Sequence, residues 1–351
     1  MPSSAVEHPA GNDPMVDVVD EAGRIIGVPA RDVRRLGRGR NNLTLLLETA
    51  NGPFVAKHYP ATPGDQRDRF DSETRALRFM GANGFECVPS LIGASAQARV
   101  AVMDGHGAPA GIDARPGDID ACVAFAGRLH DARSDAGEEL IGPASEACPA
   151  PADIVHQIAG RREKLAAAAD QRDDLARFFD TAFDPAFSRY KNAAKEALDG
   201  AGVDFEAPLA AALQTLSPSD FGMHNAVRRD DGVLVFVDFE YFGWDDPVRL
   251  VSDFVLHPGQ RLDDAQKRRF VDGVSGIYGA ADPHFARRLA ALYPLVGLRW
   301  CMIMLNEFLP DRMARRRAAG ETGELEDVLA RQLQKASRLL AGIDDGKRQI
   351  T

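Results

Sequence analysis

The amino-acid sequence predicts an α+β fold with two lobes, a small lobe rich in β-strands and a larger helical lobe. Strand patterns joined by a hairpin turn fill much of the first third of the chain, whereas helical spacing of apolar residues dominates the remainder. The 351 residues are too many for one simple core and fit two packed lobes. We therefore expect a disordered tail over residues 1–14, an N-lobe over 15–104 and a C-lobe over 105–345.

The composition is that of a globular protein, with 45% hydrophobic and 27% charged residues. A formal net charge of −10 disfavours a protein that binds nucleic acid through its phosphates. We see no secretory signal and no uncharged apolar run of about 18 residues, so we expect no membrane span. The four cysteines are widely spaced, which predicts reduced thiols in a cytoplasmic protein, either a monomer or a homodimer.

In the N-lobe, a short helix up to about Ile26 precedes a β-hairpin. Residues Leu43–Thr49 and Phe54–Tyr59 have strand patterns, and the Asn51-Gly52 pair between them is a strong hairpin-turn signal. A helix is predicted over Arg67–Ala82. Two further strands are predicted over residues 88–92 and 99–103, and the turn-rich residues 104–111 mark the lobe boundary.

The C-lobe is predicted to be mainly helical. Helical spacing covers residues 119–133, 152–169 and 172–200, and it resumes after Pro247 up to about Ile343. Between these helices, strands over residues 225–229 and 233–238 flank the turn Asp230-Asp231-Gly232 and predict a second hairpin.

Two N-lobe features could hold a nucleotide. Gly37, Gly39 and Asn41 form a glycine-rich turn whose backbone could approach phosphate oxygens, although an ordinary turn explains the same residues. Lys57 stands among apolar strand residues, where it could hold phosphates or simply face solvent. Glu73 on the following helix could pair with this lysine, or it could lie on a solvated helix face.

The strongest candidate site surrounds the second hairpin. Asp220 and Asn225 lie in a turn-rich segment, and Asp238 ends a very apolar strand. A carboxylate at such a buried strand end is costly without a metal ion or a basic partner. Asn225 and Asp238 supply the hard oxygen ligands that suit Mg²⁺, which leaves Asp220 to accept a hydroxyl proton. The alternative is that Asp220 and Asn225 form turns and Asp238 caps the next segment.

In order and spacing, these residues resemble the aminoglycoside phosphotransferase and choline kinase family, which has a protein-kinase-like fold. The resemblance covers about residues 30–310 and rests on the glycine loop, Lys57, Glu73, Asp220 with Asn225, Val237-Asp-Phe-Glu and Gly243-Trp-Asp-Asp-Pro. It implies that ATP phosphates meet Lys57, that adenine meets the backbone near Met103 and Asp104, and that Asp246 braces a loop or caps a helix. It also implies Asp220 as catalytic base and Asn225 and Asp238 as Mg²⁺ ligands.

One departure from the family pattern concerns the loop before the base. The His-Gly pair that precedes the catalytic aspartate in the family is replaced here by Pro218-Ser219. In the family, that histidine supports the loop and takes no part in the chemistry. The departure therefore leaves open how this chain holds the loop.

The resemblance implies a phosphotransferase that moves the γ-phosphate of ATP to a hydroxyl group of a small molecule. A mixture of aromatic and acidic side chains beyond the second hairpin suits a sugar or sugar derivative first, and an aminoglycoside or choline-like amino-alcohol second. The predicted acceptor ligands are Glu240, Trp244, Asp245, Trp300, Asn306 and Glu307, and core packing is the alternative for Trp300.

Two other classes compete with a small-molecule kinase. A non-catalytic nucleotide-binding scaffold is disfavoured because Lys57, Asp220, Asn225 and Asp238 are all retained. A protein kinase is disfavoured because the Ala-Pro-Glu signal and an evident activation segment are missing from the sequence.

Overall fold

The computed structural model describes residues 14–36, 42–61, 67–105, 107–137, 140–309 and 324–350. The chain divides into two compact units, one formed by Met1–Gln66 with Pro89–His106 and the other by Arg67–Val88 with Gly107–Thr351. Residues 67–88, which we placed in the N-lobe from the sequence, thus group with the larger unit. Of the expected tail, residues 1–13 lie outside the described part of the chain.

The first unit is an antiparallel sheet with one helix against it. Its helix α1 spans Pro14–Ile26, and its five strands pair in the order β1-β2-β3-β5-β4. The strands are β1 (Asp32–Arg35), β2 (Leu43–Thr49), β3 (Gly52–His58), β4 (Leu91–Ser95) and β5 (Val100–Asp104). The fourth strand thus begins three residues later than the sequence pattern suggested.

The β2–β3 hairpin confirms the turn predicted at Asn51-Gly52. Gly52 has a φ of 106°, a left-handed conformation that glycine adopts without the steric cost a Cβ adds. Thr49 pairs with Gly52 across the turn, and its hydroxyl donates to the Gly52 carbonyl at 2.8 Å. Alternate residues of β2, Leu45 and Leu47, are fully buried on the face that packs with α1.

The second unit is mainly helical. Its α-helices are α2 (Arg69–Ala82), α3 (Asp118–Ala132), α4 (Pro151–Lys164), α5 (Ala166–Ala169), α6 (Asp173–Phe178), α7 (Asp184–Asp199), α8 (Pro247–Leu256), α9 (Asp264–Tyr278), α10 (Phe285–Met304) and α11 (Leu325–Ile350). The predicted helix over 152–169 is therefore divided at Leu165, and a π-helical turn over Phe179–Phe183 separates α6 from α7. The final helix extends beyond Ile343 to Ile350.

Short strands in this unit position the candidate site. Strands β6 (Ala108–Pro109), β8 (Ala226–Arg228) and β9 (Leu234–Phe236) form a three-stranded sheet, and β7 (Thr215–Ser217) pairs with β10 (Gly243–Asp245). The predicted second hairpin is confirmed, since β8 and β9 are antiparallel and Val227 faces Val235. Behind it, Phe236 stacks on Phe125 of α3 with ring centroids 4.6 Å apart, which anchors the hairpin to the helical core.

Helix α10 carries much of the core of this unit. The segment Phe285–Phe308 is long and apolar enough to cross a membrane, yet 78% of its most apolar stretch is buried inside the protein. Such burial is what a core helix shows. Each of the four cysteines is a free thiol, as the sequence predicted.

Candidate active site

The loop that carries Asp220 begins where β7 ends, and its backbone is locally strained. Ser219 has a φ of 64°, which is uncommon for a residue other than glycine. Its backbone N–H donates to the hydroxyl of Ser217 at 3.1 Å, and its own hydroxyl donates to the carbonyl of Tyr241 at 3.1 Å. Ser219 therefore takes the conformation that glycine would adopt and ties the loop to the chain segment beyond Asp238. These two hydrogen bonds of Ser219 hold the loop in this chain, in which Pro218-Ser219 replaces His-Gly.

Two histidines hold the carboxylate of Asp220. The distance from Nε2 of His224 to Oδ1 of Asp220 is 2.8 Å, and Nε2 of His257 lies 3.1 Å from the same oxygen. Burial acts to raise the pKa of Asp220, but the hydrogen bonds from both histidines outweigh it and hold the pKa well below the usual range. Asp220 is therefore an ionised carboxylate held in one orientation, and its side chain is 33% exposed.

The two histidines reach Asp220 from different elements. His224 lies in the 3₁₀ turn Met223–Asn225, while His257 follows directly after α8. Their rings stack with centroids 3.7 Å apart and an interplanar angle of 3°. Sequence reasoning named neither histidine. His224, next to Asn225 within the motif, could have been noticed, but nothing in the spacing of His257 connects it to Asp220.

Asn225 is positioned by hydrogen bonds to Asp220 and to Val237, the residue before Asp238. Its Nδ2 donates to the carbonyl of Asp220 at 2.9 Å, which orients the amide and leaves Oδ1 as its remaining acceptor. Its own carbonyl accepts the N–H of Val237 at 2.9 Å, so Asn225 is joined to the residue before Asp238. Asp238 itself has a φ of 72°, a second left-handed residue in this small region. Strained conformations of this kind concentrate at functional sites.

A cluster of carboxylates includes Asp238. The cluster contains one carboxylate oxygen from each of Glu73, Asp238 and Glu240, and these three atoms lie within 4.8 Å of one another. The side chains of Glu73 and Glu240 are buried. Nε of Arg69 lies 3.6 Å from Glu240 and supplies a positive charge. Grouped buried carboxylates are costly unless cations offset them. The cluster offers the hard oxygen donors that suit Mg²⁺, so the residues present fit this ion.

Predicted nucleotide residues in the first unit lie on its central strands. Lys57 on β3 is only 5% exposed, and its Nζ lies 5.2 Å from the ring centroid of Tyr59. Met103 is buried near the end of β5, where Asp104 accepts the N–H of Ser90 at 2.7 Å. Glu73 lies on α2 of the other unit, so its pairing with Lys57 stays a prediction. Gly37, Gly39 and Asn41 lie outside the described residues.

Two of the predicted acceptor ligands belong to a buried ionic network. Asp245 is 1% exposed, with Oδ2 2.9 Å from Nη1 of Arg249, and burial raises its pKa to about 6. Nε1 of Trp300 donates to Asp253 at 2.8 Å, and Asp253 also binds Arg249. Ion pairing and packing therefore account for the positions of both predicted residues, and contact with an acceptor stays a prediction.

The remaining predicted residues occupy separate places in this unit. Trp244 lies half-buried on β10, and Asn306 and Glu307 lie in the 3₁₀ turn Leu305–Phe308 after α10. Asp246 caps α8, because its Oδ1 accepts the N–H of Val248 at 2.8 Å, and it also forms an ion pair with Arg288. Asp246 thus both caps the helix and braces the chain, which are the two roles that the sequence left open.

A cavity of about 370 Å³ adjoins the loop that carries Asp220. Its walls come from the end of α8 and from α9, α10 and α11, and they include His257, Gln260, Lys267, Tyr293 and Arg338. Gln260 connects the cavity to the loop, because its side-chain oxygen accepts the N–H of Met223 at 2.8 Å. None of the six predicted acceptor residues lines this cavity.

Comparisons with known proteins show what the fold is similar to. No family model matches the chain, and no curated protein matches it in sequence. A spectinomycin phosphotransferase, solved with ADP and spectinomycin, matches 94% of this chain and 98% of its own, with a TM-score of 0.61 and 9% identity. A choline kinase from Streptococcus pneumoniae matches 94% of this chain and 100% of its own, with a TM-score of 0.58 and 15% identity.

A third solved structure is a macrolide 2′-phosphotransferase from Brachybacterium faecium without ligands. It matches 88% of this chain and 99% of its own, with a TM-score of 0.53 and 14% identity. Across nearly its whole length, the chain therefore has the protein-kinase-like α+β fold of these small-molecule phosphotransferases. The resemblance inferred from the motifs is confirmed at the level of the fold, which by itself does not fix a function.

Proposed function

We propose that this protein is an ATP- and Mg²⁺-dependent phosphotransferase that moves the γ-phosphate of ATP to a hydroxyl group of a small molecule. The observation that carries the proposal is the geometry around Asp220. Its carboxylate is ionised and oriented, its carbonyl holds Asn225, and Asn225 in turn is bonded to the residue that precedes Asp238. Two hydrogen bonds and the peptide link from Val237 to Asp238 thus connect the proposed base with the two proposed oxygen ligands within one unit.

Phosphoryl transfer passes through a loose transition state, so positioning and charge neutralisation supply most of the catalysis. Asp220 would accept a hydrogen bond from the acceptor hydroxyl, orient its oxygen toward the γ-phosphorus and take the proton late. A carboxylate with a lowered pKa suits this role, because orientation of the nucleophile matters more here than early removal of its proton.

Asn225 and Asp238 would hold Mg²⁺, which neutralises negative charge on the phosphates when it is bound. The carboxylates of Glu73 and Glu240, close to Asp238, strengthen the preference of this region for a cation. In the first unit, Lys57 would offset phosphate charge, and the backbone near Met103 and Asp104 would meet the adenine.

For the acceptor, we propose a sugar or sugar derivative first and an aminoglycoside or choline-like amino-alcohol second. The matched structures include a spectinomycin phosphotransferase, a macrolide phosphotransferase and a choline kinase, which supports polyhydroxyl and amino-alcohol compounds as the classes to test. Glu240, Trp244, Asn306 and Glu307 remain candidate ligands. The cavity beside His257 and Gln260 is a second candidate location, because its polar walls, which carry charges of both signs, adjoin the Asp220 loop.

The proposal can be tested with an acceptor panel. Purified protein would be incubated with Mg²⁺, ATP and single sugars, sugar derivatives, aminoglycosides or choline, and acceptor-dependent ADP release would be measured. We expect at least one class to stimulate ADP release in the wild type and not in Asp220→Asn. The absence of stimulation by any class, together with the absence of Mg²⁺-dependent ATP binding, would favour a non-catalytic scaffold.

A further inference from the structure

We propose that His257 and His224 are positioning residues that bind one oxygen of the Asp220 carboxylate, Oδ1, and thereby reserve Oδ2 for the acceptor hydroxyl. The inference deepens the proposed phosphotransferase function and rests on it. It is carried by the two Nε2 contacts that converge on Oδ1 of Asp220, and neither histidine was among the residues predicted for the site.

The tautomer of His257 follows from its second hydrogen bond. The backbone N–H of Gly259 lies 3.0 Å from Nδ1 of His257, and a backbone N–H can only donate. Nδ1 therefore accepts, and the proton of the neutral ring is on Nε2. That nitrogen lies 3.1 Å from Oδ1 of Asp220, so His257 donates to the carboxylate.

His224 donates to the same oxygen. An ionised carboxylate has no proton to donate, so the 2.8 Å contact between Nε2 of His224 and Oδ1 requires the proton on the histidine. Both donors thus converge on Oδ1. A carboxylate whose one oxygen receives two N–H groups cannot rotate without breaking both bonds, and its Oδ2 is kept as the oxygen to receive a further proton.

The same groups resemble a metal site in composition, because two histidines and an aspartate lie close together. Metal binding through Nε2 of His257 requires its lone pair there, which moves the proton of the neutral ring to Nδ1. That proton would then face the N–H of Gly259 at 3.0 Å, donor against donor. The hydrogen bond from Gly259 therefore favours a donor role for His257 over a ligand role.

Packing fixes the ring of His257 in this orientation. One face stacks on His224 at 3.7 Å, and Trp300 meets the ring at 4.7 Å with an interplanar angle of 88°. Trp300 is itself held by its hydrogen bond to Asp253 in the buried ionic network. The donor that orients Asp220 is thus fixed by the helical core, which is the arrangement a preorganised site requires.

Two substitutions of His257 separate orientation of Asp220 from support of the loop. His257→Asn places an amide near the position of Nδ1 and can still accept from Gly259, but it cannot reach Asp220. His257→Gln can place an amide N–H near the position of Nε2 and still donate to Asp220. We expect kcat to fall by up to about 100-fold in His257→Asn. We expect a kcat at least tenfold higher in His257→Gln than in His257→Asn, with the KM for ATP similar in both.

The matched control is His156→Asn, which changes an exposed histidine on α4 and should leave both kinetic constants unchanged. A purely structural role predicts the opposite order, with His257→Asn active and His257→Gln impaired because Gly259 loses its acceptor. That order, or equal kcat values in the two variants, would overturn the inference.

Nitrogen NMR of ¹⁵N-histidine-labelled wild-type protein supplies a readout that does not need activity. We expect His257 to be protonated at Nε2 and not at Nδ1, with direct coupling of one proton to Nε2. Protonation at Nδ1 would overturn the inference whatever the kinetics show. If the tautomer is found as expected but no acceptor is phosphorylated by wild-type protein, the hydrogen-bond arrangement stands and the proposed function fails.

Discussion

The imidazole rings of His224 and His257 lie parallel, 3.7 Å apart, and both direct Nε2 at a single oxygen of Asp220. Nδ1 of His224 is buried without a hydrogen-bond partner among the described residues. This pair connects the loop after β7 with the end of α8. The candidate base is therefore held by tertiary contacts as well as by its own loop.

The first prediction concerns Asp220→Asn. An asparagine can keep an oxygen at the position of Oδ1 for both histidines, but it places an NH₂ group where Oδ2 should accept a proton. We expect kcat to fall by about 10²- to 10⁴-fold with acceptor and Mg·ATP present, while the dissociation constant for Mg·ATP changes little. Steady-state ADP release and calorimetric titration check this result. An unchanged kcat would remove Asp220 from the reaction.

The second prediction concerns the strained backbone at Ser219. Ser219→Ala removes the hydroxyl bonded to Tyr241 and keeps a side chain at a φ of 64°, so we expect a loss of about 1 kcal/mol in the free energy of unfolding. Ser219→Gly loses the same bond but relieves the left-handed strain, so we expect a smaller loss. Urea denaturation of both variants measures the difference. Greater stability of the alanine variant would contradict the role assigned to Ser219.

The third prediction concerns acid stability and Glu146. Burial acts to raise the pKa of this carboxyl, but the guanidinium groups of Arg161, Arg299 and Arg249 overcome it and hold the pKa at about 2, below its ordinary value of 4.5. Because the folded-state pKa is the lower one, the stabilisation is complete above about pH 4.5 and is lost as the pH falls toward 2.

The measurement compares wild type with Glu146→Gln by urea denaturation, in steps of about half a pH unit from about pH 6 to about pH 2.5. We expect the wild type to be more stable at pH 6 and the difference in unfolding free energy to shrink as the pH falls. Other titrating groups are common to both proteins and cancel in the difference. A difference that does not change with pH would show that Glu146 is not held by the arginines.

The fourth prediction concerns Trp300→Phe. The substitution keeps an aromatic ring beside His257 but removes the N–H that Asp253 accepts, which leaves a buried carboxylate with one partner fewer. We expect the free energy of unfolding to fall by about 1–3 kcal/mol. If Trp300 also contacts the acceptor, as its sequence position suggested, the KM for that acceptor will rise in the folded variant. A KM that stays constant would show that Trp300 does not contact the acceptor.

Part of this architecture could be predicted because its signals are local. Asn51-Gly52 between two strand patterns predicted the β2–β3 hairpin, and the apolar run ending at Asp238 predicted the second one. The order of Asp220, Asn225 and Asp238 along one hairpin likewise predicted their connection. Such features depend on residues near one another in sequence, where turn chemistry and spacing are informative.

Other parts could not be predicted because they depend on tertiary neighbours. His257 meets Asp220 only because α8 ends beside the β7 loop, and no spacing rule relates the two residues. The carboxylate of Glu146 interacts with arginines from α4, α8 and α10. A single sequence does not show which charged side chains will lie close together in the fold. Asp245 was predicted as an acceptor ligand, but the first turns of α8 bring Arg249 against its carboxylate.

The most direct test of the central claim is Mg²⁺-dependent binding of ATP, measured by isothermal titration calorimetry for wild type, Asp238→Asn and Asp230→Asn. Asp230 is an exposed residue in the turn of the same hairpin, so its variant is the matched control. We expect Asp238→Asn to weaken ATP binding at least about tenfold when Mg²⁺ is present and little when it is absent. ATP binding that is unaffected by Mg²⁺ in the wild type, or equally tight in all three proteins, would contradict a phosphotransferase site built on Asp220, Asn225 and Asp238.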